Sequence, residues 1–285
     1  MLIFHDPTCA DYGSAVRPEQ PARITATVPH LKKTHPDWTW RVPTKMPAFE
    51  DLLRAHTPEH IARLEVPEDF DADTPWFPGI HLHARQAVAA ALAALEAAMD
   101  SREKAFALMR PPGHHATPDQ AMGFCYLNQI AIAALAAKHR KGADRVAVWD
   151  FDAHHGNGTE AILDGREGFF FASVHQFPGY PGTGTRSTSN CRNWPVAPGT
   201  PAKHHRRALE QSWEAVLAFR PQVILVSAGF DAFIGDPITA MTLEAEGFAA
   251  LGSWVRQAGL PTVSILEGGY SKELPKLIES YLTSW

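Results

Sequence analysis

The chain alternates short, continuously apolar segments with longer helical patterns, and this alternation constrains its fold more than any other feature. The apolar segments are residues 105–109, 145–152, 169–175, 223–229 and 262–269. Short unbroken apolar runs are typical of strands that are covered on both faces. Helical patterns fill the intervals, at about 84–100, 126–140, 202–219 and 242–258. Repeated βα alternation predicts an α/β fold with a single doubly wound, mainly parallel sheet and helices on both faces.

No linker or internal repeat interrupts this pattern, so we predict one domain over residues 1–285. Residues 1–80 are less regular and richer in proline and acidic residues, but we assign them to the same domain. With 45% hydrophobic and 20% charged residues, the composition is that of a globular protein and excludes disordered and fibrous classes.

Charge and cysteine content limit the possible partners and location. A net charge of −5 argues against a nucleic-acid partner, and we find no apolar run of the length that a membrane span needs. The three cysteines (Cys9, Cys125 and Cys191) are far apart and lie outside any CxxC spacing. We interpret them as reduced thiols and, since no signal sequence is recognisable at residues 1–11, expect a cytoplasmic protein.

Imidazole and carboxylate side chains follow the end of every predicted strand. In chain order these residues are Arg110, His114 and His115, then Asp150, Asp152, His154, His155 and Asn157, then His175, Asp231, Glu267 and Tyr270. Because ligands bind at the carboxyl ends of the strands in such sheets, we expect these side chains to form one site.

The DxDxH spacing suggests a metal site. Alternate side chains share a face along an extended strand, so Asp150, Asp152 and His154 are expected to point the same way. Asp152 and His154 can then hold one metal ion, with Asp231 from a neighbouring strand end as the third ligand. Two carboxylates and one imidazole suit zinc and leave a coordination position open.

Five segments occur in a fixed order: RPPGHHA, GFCYLN, WDFDAHHGNGT, SAGFDA and LEGGY. With RPEQPARI at residues 17–24, they resemble the zinc-dependent histone deacetylase family, which includes bacterial acetylpolyamine amidohydrolases and acetoin-utilisation proteins. The resemblance spans residues 17–270 and implies an arginase/deacetylase-like fold. It also implies one Zn²⁺ per chain, a structural K⁺, and a substrate that is an acetylated small amine or an acetyl-lysine peptide or protein.

The resemblance implies a role for each matched residue. Asp152, His154 and Asp231 would hold Zn²⁺, and Asp150 and Ser173 would contribute to a monovalent-cation site. The expected catalytic and substrate-binding residues are His114 and His115 as paired imidazoles, Asp150 and Asn157 as their hydrogen-bond acceptors, Tyr270 as donor to the substrate carbonyl, and Gly123, Phe124 and Tyr180 as walls of the acyl-lysine tunnel.

Hydrolysis of an amide explains why these residue types occur together. Zinc polarises a carbonyl, one histidine accepts a proton from water, and a protonated histidine returns a proton to the amine. Tyr270 would stabilise the developing oxyanion, and no GxSxG nucleophile motif is present. Asn157 stands where many family members have aspartate, so His115 is expected to be less basic than His114.

Two other functions have to be weighed against the deacetylase. An arginase-like ureohydrolase needs a second metal-binding aspartate two residues after His154, where this chain has Gly156, and GFDAFIGDP lacks the leading acid of the later motif. A non-catalytic acetyl-lysine-binding or metal-binding protein would not need His114, His115 and Tyr270. The acidic stretch 65–73 is either a solvated loop or a rim that attracts cationic substrates, with Asp73 as a possible substrate contact.

Overall fold

The computed structural model describes residues 1–285. The strands are β1 (Leu2–Phe4), β2 (Thr39–Arg41), β3 (Ala105–Ala107), β4 (Val146–Asp150), β5 (Phe169–Gln176), β6 (Cys191–Val196), β7 (Val223–Ala228) and β8 (Thr262–Leu266). The helices are α1 (Ala22–Thr25), α2 (Thr27–Thr34), α3 (Phe49–Leu53), α4 (Pro58–Arg63), α5 (Ile80–Ser101), α6 (Gln129–Lys141), α7 (Asn157–Leu163), α8 (Ala202–Ala218), α9 (Ala245–Ala258) and α10 (Leu274–Ser284), and a 3₁₀ helix spans Pro7–Ala10.

The eight strands form one sheet in the order β2-β1-β3-β8-β7-β4-β5-β6, and all neighbours pair in parallel. The predicted α/β fold is therefore confirmed, with a sheet that is parallel throughout. Every residue of β3, β4, β7 and β8 is buried, as the unbroken apolar runs indicated. None of the ten helices combines the length and the hydropathy that crossing a bilayer requires.

Helices cover both faces of the sheet. On one face α5 packs against β1, β3 and β8, and α6 packs against β4 and β7. Asn128 begins α6 by accepting a hydrogen bond from the backbone N–H of Ala131 at 2.9 Å. On the other face Trp149 packs against Trp213 of α8, while α9 and α10 pack against the residue that follows β4, Phe151.

The sequence patterns did not predict β1, β2 and β6. The first two strands have three residues each, too few to show a period, and β2 lies at an exposed edge of the sheet. The last, β6, forms the opposite edge and contains Pro195, which cannot donate to a strand ladder. Thus β1 is buried but too short to show a pattern, whereas β2 and β6 are edge strands, where burial imposes little pattern on the sequence.

The predicted strand 145–152 is too long, because β4 ends at Asp150. Side chains take over the backbone hydrogen bonds beyond that point. Asp150 Oδ1 accepts from the N–H of Asp152 at 3.1 Å, and Asp152 Oδ1 accepts from the N–H of His154 at 2.8 Å. These two aspartate turns bend the chain away from the sheet and place its acidic residues at the sheet edge.

Candidate metal centre and active site

The strand order brings the loops with functional side chains together. The strands β3, β8, β7, β4 and β5 are consecutive in the sheet, and each is followed by one of the predicted site segments. At the end of β4, Asp150 pairs in register with Ser173 of β5 and Ser227 of β7. The carboxyl edge of the sheet centre is therefore the place where these residues meet.

Asp152, His154 and Asp231 form a compact triad. One ligand atom from each residue lies within 4.8 Å of the other two. His154 Nδ1 is 2.9 Å from Asp231 Oδ2 and 3.2 Å from Asp152 Oδ1. Both carboxylates are fully buried, and together they raise the pKa of His154 well above its usual value although burial opposes this. Two buried carboxylates around one imidazole leave excess negative charge, as expected for residues that hold a cation.

The backbone orients the other carboxylate oxygens of the triad. Asp152 Oδ2 accepts from the N–H of Gly268 at 2.7 Å, and Asp231 Oδ1 accepts from the N–H of Ala153 at 2.8 Å. A Cβ atom on Gly268 would lie 2.2 Å from Asp231 Oδ2 and 2.5 Å from Asp152 Oδ2. Only glycine permits this approach, so the loop after β8 fits closely around the triad. Donor types, burial and backbone support are all consistent with zinc.

His114 and His115 lie beside the triad with ring centroids 4.1 Å apart. His114 Nδ1 is 3.0 Å from Asp150 Oδ2, and His114 Nε2 is 3.8 Å from Asp152 Oδ1. Burial alone would lower the pKa of His114, but the carboxylates of Asp152 and Asp150 outweigh it and raise the pKa to about 10. His114 is therefore the more basic member of the pair.

His115 has a different environment. Its Nδ1 donates to Oδ1 of Asn157, the first residue of α7, at 2.7 Å, which leaves Nε2 as the acceptor. Burial lowers the pKa of His115 well below its usual value, and the neighbouring imidazoles of His114 and His154 lower it further. Because an amide cannot offset this with a negative charge, the imidazole of His115 is held neutral.

Tyr270 follows two glycines after β8 and lines the same cavity as His115 and His154. Asp236 accepts a hydrogen bond from the backbone N–H of Tyr270 at 2.8 Å. The guanidinium of Arg23 lies 4.9 Å from the ring centroid of Tyr270 and donates to the carbonyl oxygen of Gly269 at 2.8 Å. These contacts hold the loop so that the phenol stays near the triad.

Glu267 supports the segment that carries the histidine pair, a role that the sequence did not indicate beyond its place at a strand end. Its Oε2 accepts from the N–H groups of Gly113 at 2.6 Å and His114 at 3.1 Å. Burial raises the pKa of Glu267 to about 7. Arg110 anchors the start of the same segment, since Nε and Nη2 reach the two carboxylate oxygens of Glu19 at 2.5 and 2.7 Å. The buried Arg110–Glu19 pair joins the segment RPEQPARI to the segment RPPGHHA.

A cavity of about 240 Å³ opens to solvent above the triad. Gly123 has φ +55°, and a Cβ atom there would lie 2.5 Å from His115 Cδ2 and 2.9 Å from Tyr180 Cε1. Phe124, also at positive φ, packs edge-on against Tyr270, with the two ring centroids 5.7 Å apart. The cavity lining comprises Arg17, Pro18, Asp73, His115, Gly123, Phe124, His154, Tyr180, Ile238 and Tyr270. The expected tunnel residues thus lie together around a narrow approach to the triad.

The two residues expected at a monovalent-cation site, Asp150 and Ser173, are buried neighbours on adjacent strands. Ser173 Oγ lies 2.9 Å from Nδ1 of His175, whose Nε2 donates to the carbonyl oxygen of Gly184 at 3.0 Å. Ser173 therefore donates to His175 and keeps its lone pairs available.

A parallel α/β sheet with this arrangement at its carboxyl edge defines the arginase/deacetylase class of α/β proteins. Within that class, residues 17–284 match the histone deacetylase domain, and the chain belongs to that family. This match confirms the resemblance that the motifs indicated.

Individual relatives agree with this assignment. The chain is 40% identical over 243 residues to a histone deacetylase-like amidohydrolase of Pseudomonas aeruginosa, covering 78% of this chain and 64% of that protein. It is 35% identical over 295 residues to a probable deacetylase of Archaeoglobus fulgidus, covering 95% and 81%. Among solved structures, acetylpolyamine aminohydrolase from Burkholderia pseudomallei superposes with a TM-score of 0.90 at 26% identity, covering 100% of this chain and 98% of that one.

Proposed function

We propose that this protein is a zinc-dependent amidohydrolase that removes an acetyl group from an N-acetylated amine. The observation that carries the proposal is that His115, His154 and Tyr270 line one cavity. A general base, a metal-ligand triad and an oxyanion donor are the groups that metal-assisted amide hydrolysis requires.

Asp152, His154 and Asp231 would hold one Zn²⁺ through the atoms that now face one another. Bound there, zinc supplies Lewis-acid polarisation of the amide carbonyl and lowers the pKa of water. The hydrogen bonds from Gly268 and Ala153 keep the two carboxylates oriented, so little reorganisation accompanies metal binding.

The two histidines have different roles, since one carries both proton transfers and the other stabilises charge. His115 is neutral with Nε2 free as the acceptor, so it takes the proton of the attacking water. His114, whose Nδ1 lies 3.0 Å from the buried carboxylate of Asp150, would be the more basic imidazole and would stabilise negative charge at the reacting carbon's oxygens. His115, once protonated, returns the proton to the leaving amine.

Tyr270 would donate its hydroxyl to the substrate carbonyl oxygen as negative charge develops there. The Arg23 and Asp236 contacts fix the loop without using the phenol oxygen. Phe124 and Tyr180 line this cavity and would flank the alkyl chain of the substrate, while Gly123 packs against Tyr180 with no side chain to fill the space. We further propose that a monovalent cation, K⁺ by resemblance, binds at Asp150 and Ser173 and stiffens the end of β4.

The test combines metal analysis with acetate release. Protein reconstituted with zinc is expected to hold one Zn²⁺ per chain and to release acetate from an acetyl-lysine peptide, from acetylputrescine, or from both. Asp231→Asn keeps the shape of the ligand and serves as the matched control, with loss of zinc and acetate release expected. Two Mn²⁺ per chain with urea release from arginine would favour the ureohydrolase instead. Stoichiometric zinc without release of any acyl group would favour a binding protein.

A further inference from the structure

The mouth of the cavity carries one cation and one anion, and neither has a charged partner. Arg17 and Asp73 are both part of the cavity lining. Arg17 makes a single hydrogen bond, from Nη1 to the carbonyl oxygen of Ala72 at 3.0 Å, and forms no ion pair. The carboxylate of Asp73 accepts no hydrogen bond and forms no ion pair, although its backbone N–H donates to Asp71 Oδ1 at 2.9 Å.

Three other acidic side chains near the mouth already have hydrogen-bond or ion-pair partners in the loop or in the adjacent helix α4. Asp71 Oδ1 accepts from the N–H groups of Asp73 at 2.9 Å and Thr74 at 2.6 Å. Asp69 Oδ1 accepts from the N–H of Trp76 at 2.8 Å. Glu68 Oε2 lies 3.6 Å from Arg63 Nη2. The acidic stretch 65–73 is therefore mainly a structured loop, and Asp73 is its one acidic side chain in the cavity lining.

The two unpaired charges lie on well-supported backbone. Two residues after Arg17, Glu19 is buried and paired with Arg110, which anchors that segment. One residue after Asp73, Thr74 is fully buried, and its Oγ1 accepts from the N–H of Phe124 at 3.1 Å. The backbone that carries both charges is thus fixed at the mouth before any ligand arrives, which reduces the entropic cost of binding.

From these two unpaired charges of opposite sign we infer that the preferred substrate is a free acetylated diamino acid such as Nε-acetyl-L-lysine, recognised as a zwitterion. Arg17 binds the α-carboxylate, for which a guanidinium has matching bidentate geometry. Asp73 binds the α-ammonium, and the alkyl chain passes between Phe124 and Tyr180 toward the triad. The inference rests on the deacetylase activity proposed above and makes Arg17 a specificity-determining residue.

The charge balance argues against the two alternative substrate classes. An acetylated polyamine has ammonium groups and no anion, so Arg17 at the mouth would repel it. An acetyl-lysine inside a peptide has neither a free α-carboxylate nor a free α-ammonium, which would leave both mouth charges without an ionic partner.

The experiment compares three substrates that differ only in the head group. Nε-acetyl-L-lysine has both charges, N-acetylcadaverine lacks the carboxylate, and 6-acetamidohexanoate lacks the ammonium. With the zinc-loaded protein, kcat/KM for Nε-acetyl-L-lysine is expected to exceed that for N-acetylcadaverine roughly tenfold, about 1.4 kcal/mol. Arg17→Gln, which can keep the contact with Ala72, should reduce kcat/KM for Nε-acetyl-L-lysine roughly tenfold and should not reduce kcat/KM for N-acetylcadaverine, which loses only a repulsion.

Two further variants complete the design. Asp73→Asn should lower kcat/KM for Nε-acetyl-L-lysine and should not lower kcat/KM for 6-acetamidohexanoate, the reciprocal pattern. Arg207→Gln removes an exposed guanidinium on α8, outside the cavity lining. It should not change the ratios of kcat/KM among the three compounds.

The possible failures are distinguishable. Faster turnover of N-acetylcadaverine or of a capped acetyl-lysine peptide, or a substrate ratio that Arg17→Gln does not alter, overturns the inference while the deacetylase activity stands. Calorimetric binding of the same three compounds to zinc-loaded Tyr270→Phe protein needs no turnover. If no substrate releases acetate but binding still favours the zwitterion and depends on Arg17, then the proposed activity fails and the recognition stands. Equal binding of all three compounds overturns the recognition.

Discussion

Replacing Asn157 by aspartate would test how the protein keeps one histidine of the pair neutral. His115 Nδ1 donates to Asn157 Oδ1 at 2.7 Å, and this amide is the hydrogen-bond partner of the imidazole on that side. An aspartate can occupy the same position and accept the same hydrogen bond, so the substitution adds a negative charge with little change in shape. The added charge favours the imidazolium form and raises the pKa of His115.

The size of the shift follows from distance and burial. Two unit charges about 4 Å apart at an effective dielectric constant of about 20 interact by about 4 kcal/mol, equivalent to roughly three pKa units. Residue 157 is only partly buried and the new carboxylate must itself be desolvated, so we expect about one to two units. In the proposed mechanism His115 acts as a base in its neutral form, so a raised pKa means that it is inactivated by protonation at higher pH. The acidic limb of the kcat/KM profile should therefore move up by about one to two pH units.

The assay is acetate release across pH 5 to 10 with zinc occupancy measured at each point. Asn157→Ser, which adds no charge, is the matched control and should not move the limb in this direction. An unmoved limb in Asn157→Asp with zinc retained would refute the argument that His115 is the base and Asn157 controls it. A parallel profile of His115→Ala shows whether another ionisation sets the limb, because in that case the limb would persist without the imidazole.

Three other substitutions test separate parts of the structure. Asp231→Ala should abolish both zinc retention and activity because two ligands remain, and stoichiometric zinc in the purified variant would contradict the assignment. Tyr270→Phe should fold and keep zinc while kcat falls ~10²–10³-fold and KM changes little, as measured by steady-state kinetics; a near-normal kcat would exclude the phenol as the oxyanion donor. Glu19→Gln leaves the buried guanidinium of Arg110 without its carboxylate and should cost about 3–5 kcal/mol in the free energy of unfolding, measured by denaturant titration, with Arg207→Gln as the exposed control.

The fold class could be predicted from the sequence because burial on both faces leaves a clear mark. The five central strands have to be apolar throughout, and the alternating helices have to connect them in parallel. The strands β1, β2 and β6 leave no such mark, because the three buried residues of β1 are too few to form a pattern and the edge strands β2 and β6 satisfy few packing constraints. Their assignment required the pairing partners that only the assembled sheet provides.

The residue types of the site were also readable from the sequence. Strand ends identified Asp152, His154 and Asp231 as neighbours, because parallel strands bring their carboxyl ends to one edge. The sequence did not show how β4 ends, however. Two aspartate turns, and not a longer strand, orient Asp152 and His154.

What only the tertiary structure decided are the contacts between segments far apart in the chain. Glu267 holds the backbone of Gly113 and His114 across more than 150 residues, and Arg23 reaches the loop of Tyr270 across 246. The unpaired state of Arg17 and Asp73 at the cavity mouth is likewise a property of the assembled structure. The pattern of apolar residues within a segment indicates how deeply the segment is buried and whether it forms a strand or a helix, because these properties depend on its own residues. The partner of a charge depends on which distant backbone and side chains folding brings within reach, and a single sequence does not record that.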